Sequence, residues 1–109
     1  ANRENEKFIF YKKVYNLFSI YELKNEIIKE LYPKTIILFG SYSKGEDIEG
    51  SDIDIIIISK VKRELNLKLF ENKLKRKIHC LIIKNLEEID KSLKTNIFNG
   101  FVLYGSIYG

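Results

Sequence analysis

Leu38-Phe39-Gly40-Ser41-Tyr42-Ser43-Lys44-Gly45-Glu46 is followed closely by Gly50-Ser51-Asp52-Ile53-Asp54-Ile55. One apolar strand signal, Thr35 to Phe39, ends on a Gly-Ser turn, and a second opens with two carboxylates one residue apart. Side chains alternate along a strand, so Asp52 and Asp54 point to one side, continued by Ile56 and Ile58. Ile53, Ile55 and Ile57 line the other side. Two carboxylates about 7 Å apart along a strand repel unless a cation lies between them. Mg²⁺ suits such a pair, because it takes few carboxylates and fills its octahedron with water and phosphate oxygens.

The Gly-Ser turn shares that site only if the two strands run antiparallel. A parallel pair would separate Gly40 from Asp52 by a strand length, on the order of 17 Å. Gly40 allows close backbone approach and Ser41 supplies a hydroxyl. Ser41 can also cap a short turn up to Gly45, whose N–H groups would face phosphate oxygens. Alone, a Gly-Ser is usually a turn and an Asp-x-Asp is often a surface feature. In this order, flanked by buried strands, they point to a present or ancestral nucleotide site.

Outward from this centre, Ser19-Ile20-Tyr21-Glu22 has the form of a capping box. Ile20, Leu23, Ile27 and Leu31 then share one helical face, widened by Ile28, and Pro33 stops the helix. After the Ile53 to Ser59 strand, Arg63 to Lys75 fits a helix with Leu67, Phe70 and Leu74 on its apolar face. Ile78 to Ile83 is a third strand. Leu86 to Asn96 fits a helix with Leu86, Ile89, Leu93 and Ile97 on one side, and Gly100 to Tyr104 is a last strand. The order α-β-β-α-β-α-β predicts an α+β domain with helices packed on a small mixed sheet.

The division expected is an N-terminal arm over residues 1–18 and the domain over 19–109. The arm mixes Phe8, Phe10, Tyr11, Tyr15 and Phe18 with Lys12 and Lys13. It fits neither period well, so an extended or irregularly helical arm is expected, its aromatics packed back on the domain rather than stacked on bases.

At 109 residues, 45% of them apolar, the chain suffices for one core. A net charge of +4 fits a polyanionic ligand, but 19 basic against 15 acidic residues read mainly as a mixed solvated surface. Nucleic acid is therefore the less favoured partner. The lone Cys80 excludes an intrachain disulfide and a cysteine-based zinc site, and it reads as core. Neither a membrane span nor a signal-peptide layout is visible, so a cytoplasmic protein is expected. The absence of Met at position 1 suggests either an engineered start or a domain cut from a longer chain. In the latter case the arm would be a linker from an upstream domain.

Gly40-Ser41, Gly45, Ser51-Asp52-x-Asp54 and the isoleucine run resemble the nucleotidyltransferase superfamily related to DNA polymerase beta. Within it the chain is similar to the minimal nucleotidyltransferases common in archaea and bacteria. The similarity runs from Ile20 to Tyr104, and Asn99-Gly100-Phe101-Val102-Leu103-Tyr104 resembles that family's C-terminal signature. The resemblance implies that Gly40 and Ser41, with Lys44 and Ser51, bind phosphates of a nucleoside triphosphate. Asp52 and Asp54 would hold Mg²⁺ or Mn²⁺ for transfer of an NMP, most plausibly AMP from ATP, to an acceptor hydroxyl. Relatives of this kind are often antitoxins paired with a helical HEPN-type toxin, which implies such a partner.

One departure matters. The family usually carries a third carboxylate on the next strand, where this chain has His79 in the context Lys77-Ile78-His79-Cys80-Leu81. A neutral imidazole suits Mg²⁺ less well than a carboxylate does. His79 reads either as the general base for the acceptor hydroxyl or as a structural residue in a module that binds nucleotide without turnover. Such a module would act as an antitoxin by contact or as a regulatory scaffold. Glu71, Glu87, Glu88 and Asp90 are the other candidates for a third acid, none of them on the expected strand.

Overall fold

The computed structural model of the chain describes residues 2–40 and 52–107. The apolar runs become a four-stranded sheet among these residues, in the spatial order β3-β2-β1-β4. β1 is Thr35–Phe39, β2 Ile53–Ile58, β3 Ile78–Ile83 and β4 Phe101–Gly105. β1 pairs antiparallel with both β2 and β4, whereas β2 and β3 run parallel, so the sheet is mixed as the element order predicts.

β2 is buried on both sides, which explains its nearly unbroken isoleucines. Ile53, Ile55 and Ile57 join Ile36 and Leu38 beneath helix α2 (Tyr21–Leu31), through its buried Leu23, Ile27 and Leu31. Helix α3 (Lys68–Leu74) closes the same layer with Phe70 and Leu74. On the opposite face Ile37, Ile56, Ile58 and Ile83 pack with Ile97 of helix α4 (Lys91–Phe98) and with Leu86, Ile89 and Leu93. Gly100 lets β4 begin tightly against β1, since a Cβ there would lie 2.5 Å from the Leu38 carbonyl oxygen.

Several helix ends differ from expectation, each for a local reason. Ser19 is not the cap of α2. It is the last residue of a helix α1 (Asn2–Ser19), the N-cap of α2 is Ile20, and no side chain caps it. The C-terminus of α2 is as expected, with Tyr32 left-handed at φ 45° just before Pro33. α3 begins a turn and more after Arg63, because the Asn66 side chain accepts from the Lys68 N–H and holds the chain in a turn instead. The single helix expected over Leu86 to Asn96 is split. Asn85 caps a 3₁₀ turn (Leu86–Glu88), and Asp90 caps α4 by accepting from the Leu93 N–H.

The N-terminal segment is helical, not extended, and its aromatics do not pack back on the sheet. Phe8, Phe10, Tyr11, Tyr15 and Phe18 are all more than half exposed, and Phe10 meets Tyr11 edge-on at 5.9 Å. Among the described residues no helix is long and apolar enough to cross a membrane.

Just after β2, the buried Ser59 hydroxyl donates to the Leu31 carbonyl at 2.7 Å and accepts from the Val61 N–H at 3.0 Å. It ties the end of α2 to the segment leaving the sheet. Ser59→Ala strands both backbone groups and is expected to lower unfolding free energy by about 1–3 kcal/mol in urea titrations. A midpoint equal to that of the parent would contradict this role.

Candidate active site

The antiparallel pairing of β1 and β2 sets Phe39 opposite Asp54. The turn that leaves β1 therefore lies beside the start of β2, the arrangement on which a shared site depends. Gly40 adopts φ +80°, and a Cβ on it would lie 2.6 Å from Asp54 Oδ2. Only glycine combines that backbone conformation with so close an approach to the carboxylate.

The parallel pairing of β2 and β3 brings the third predicted residue to the same place, with His79 in register with Asp54. Its ring reaches Asp52, the residue just before β2, with Nε2 2.6 Å from Asp52 Oδ2. A carboxylate only accepts, so Nε2–H donates to Asp52, and in the neutral ring Nδ1 holds the lone pair. Asp52, Asp54 and His79 thus gather at the start of β2, His79 from the neighbouring strand β3. Ser41, Lys44 and Ser51 lie outside the described residues.

The Asp54 carboxyl is pushed above its ordinary value, first by burial, with His79 pulling it down and Asp52 pushing it up again. A divalent cation would relieve both of the raising causes. The hard oxygens of Asp52 and Asp54 suit Mg²⁺ or Mn²⁺, and His79 is engaged by Asp52 instead. Among the described residues no three His, Cys, Asp or Glu side chains form a metal cluster. Mg²⁺ needs none, since one or two carboxylates and the substrate's phosphates usually hold it.

Of the alternative third acids, Glu71 accepts from the Ile78 N–H at 2.8 Å, Glu88 from the Lys84 N–H, and Asp90 caps α4. Those three anchor backbone. Cys80 packs with the α2 layer, and burial raises its thiol to about 12, so it is unreactive.

One feature was missed by the sequence reading. An open depression of about 610 Å³ adjoins Asp52, lined by Lys68, Glu71, Asn72, Lys75, Arg76 and Lys77. The Ile53 N–H donates to the Lys77 carbonyl at 2.8 Å, which holds this basic turn beside the acidic pair. The signal was the local charge. Lys62 to Lys77 carries seven basic and two acidic side chains, an excess larger than that of the whole chain.

A nucleotidyltransferase domain model matches residues 20–104. The chain belongs to the nucleotidyltransferase domain family. No curated protein matches it. Solved structures share the fold. A toxin–antitoxin structure with AMP-PNP aligns at TM-score 0.58 and 23% identity, over 79% of this chain and 73% of that one. A chain from the tri-AMPylated Shewanella oneidensis HEPN toxin in complex with MNT antitoxin aligns at 0.54 and 23%, over 86% and 73%. A candidate nucleotidyltransferase from Sulfolobus solfataricus aligns at 0.51 and 16%, over 94% and 91%.

Gly40→Ala should cost about 1–3 kcal/mol through its left-handed backbone and the collision with Asp54. Chemical denaturation checks this, and an unchanged midpoint would contradict the close approach. The raised Asp54 value has a second consequence. The folded state holds that proton more tightly than the unfolded chain, so stability falls as pH rises from the ordinary carboxylate value through the folded one. In metal-free buffer Asp54→Asn should therefore melt higher than the parent at neutral pH. That gain should be absent below about pH 3. A lower melting temperature at neutral pH would contradict the assignment.

Proposed function

We propose that this domain transfers AMP from ATP to a hydroxyl on a partner protein, a HEPN-type toxin. The carrying observation is the meeting of Gly40, Asp54, Asp52 and His79 at one end of β2. The reading is supported by membership of the family and by solved structures of the same fold, one with AMP-PNP and one with an AMPylated HEPN toxin. Residues 19–109 form the transferring domain in this reading, and residues 1–18 an accessory arm.

The acceptor oxygen forms a bond to the α-phosphorus while the bond from that phosphorus to the β-bridging oxygen breaks. Pyrophosphate leaves with the electron pair, and the hydroxyl proton passes to His79 Nδ1. Asp52, accepting from Nε2–H, keeps the ring in the tautomer this requires. Gly40 admits the phosphates close to the backbone, with Ser41, Lys44 and Ser51 assigned as further phosphate contacts by resemblance. A divalent cation held by Asp52 and Asp54 would stabilise charge on the transferred group.

The second reading, a module that binds nucleotide without turnover, is favoured by one observation. By the resemblance His79 takes the place of the family's third acid, and its ring is engaged by Asp52. Calorimetry with MgATP should give binding to the parent and none to Asp54→Asn. Pyrophosphate release with the cognate toxin should fall by about two to four orders of magnitude in His79→Gln. A large gain of activity in His79→Asp would instead identify a decayed site, and transfer by Asp54→Asn equal to that of the parent would end the proposal.

A further inference from the structure

The position of the basic depression specifies the acceptor, an inference that rests on the transfer reading above. In-line displacement puts the entering and leaving oxygens on opposite sides of phosphorus. Gly40 adjoins Asp54 from the β1 side of β2, so the leaving pyrophosphate belongs there. The acceptor must then approach from the β3 side, where His79 stands and where the turn between α3 and β3 opens beside Asp52.

That approach is lined by Lys68, Lys75, Arg76 and Lys77. The turn is built rather than casual. Glu71 takes the Ile78 N–H with its carboxylate and the Arg76 N–H with its carbonyl, and Lys75 caps α3 in a left-handed conformation at φ 57°. Glu71 is thereby committed to the backbone, while cations line a depression that opens next to Asp52. Such a surface selects against cationic acceptors and attracts anionic ones.

We infer that the acceptor hydroxyl is presented by an acidic protein segment, whose carboxylates dock on the turn between α3 and β3. A single-stranded nucleic acid is the weaker fit, because such sites pair a basic groove with aromatic platforms. No aromatic side chain lines this depression among the described residues. The new bond is the acceptor oxygen to the α-phosphorus, with pyrophosphate leaving and the proton going to His79, as above.

The test uses a fluorescent peptide in which glutamates flank one tyrosine, its glutamine counterpart, and a single-stranded RNA with a free 3′ hydroxyl. Anisotropy without nucleotide reports docking, and α-labelled ATP reports transfer. The acidic peptide should bind in preference to the other two, weaken with salt, and weaken about tenfold in Lys75→Glu/Lys77→Glu. MgATP affinity should be unchanged in that variant, and Lys68→Glu gives a second variant placed on the helix. Equal binding of the glutamine peptide, or preference for the RNA, would overturn the inference. Loss of MgATP binding with peptide discrimination intact would contradict the transfer reading but leave the docking assignment standing.

Discussion

The antiparallel pairing of β1 with β2 is the constraint on which the site depends. It sets Phe39 against Asp54 and so delivers the Gly40 turn to the carboxylates. Reversing that one pairing would leave the same motif residues a strand length apart. The pairing is held by chemistry far from the site. Alternate β1 and β2 side chains enter two different apolar layers, so a one-residue slip would turn Asp54 into the α2 layer, where an isoleucine now packs. The register is thus fixed by burial, and the acidic corner inherits it.

The parallel partner adds the other half. β3 returns to β2 through α3, and that crossover places His79 beside the carboxylates and a cationic turn beside Asp52. The same short stretch of backbone therefore separates two electrostatic environments. One is acidic and partly buried, where Asp54 is held in a state that disfavours its charge. The other is basic and open. In the proposed transfer the first would hold a polyphosphate and its cation, and the second would direct the approaching acceptor.

The strands and the two faces of β2 were legible in the sequence because alternation and β-branched residues carry that information directly. Asp52 and Asp54 were legible for the same reason, and His79 through its place on β3. The helix ends were less so. Asn66, Asn85 and Asp90 each bond to nearby backbone, and these local bonds cut helices that apolar spacing alone would continue. The N-terminal helix was obscure because its apolar residues follow no single face, and their exposure in the fold bears this out. The cationic depression was hidden by the near balance of charge along the whole chain, since only the fold shows which cations gather beside Asp52.

The chain has a single histidine, so its ring gives unambiguous NMR signals. The most direct test of the central claim is to titrate Mn²⁺ with ATP while observing the His79 ring in the parent and in Asp54→Asn. A metal–nucleotide complex seated on Asp52 and Asp54 should broaden the His79 resonances in the parent and leave them sharp in the variant. Resonances that stay sharp in the parent, or broaden equally in both, would show that β2 does not hold the metal and nucleotide where the fold brings these residues together.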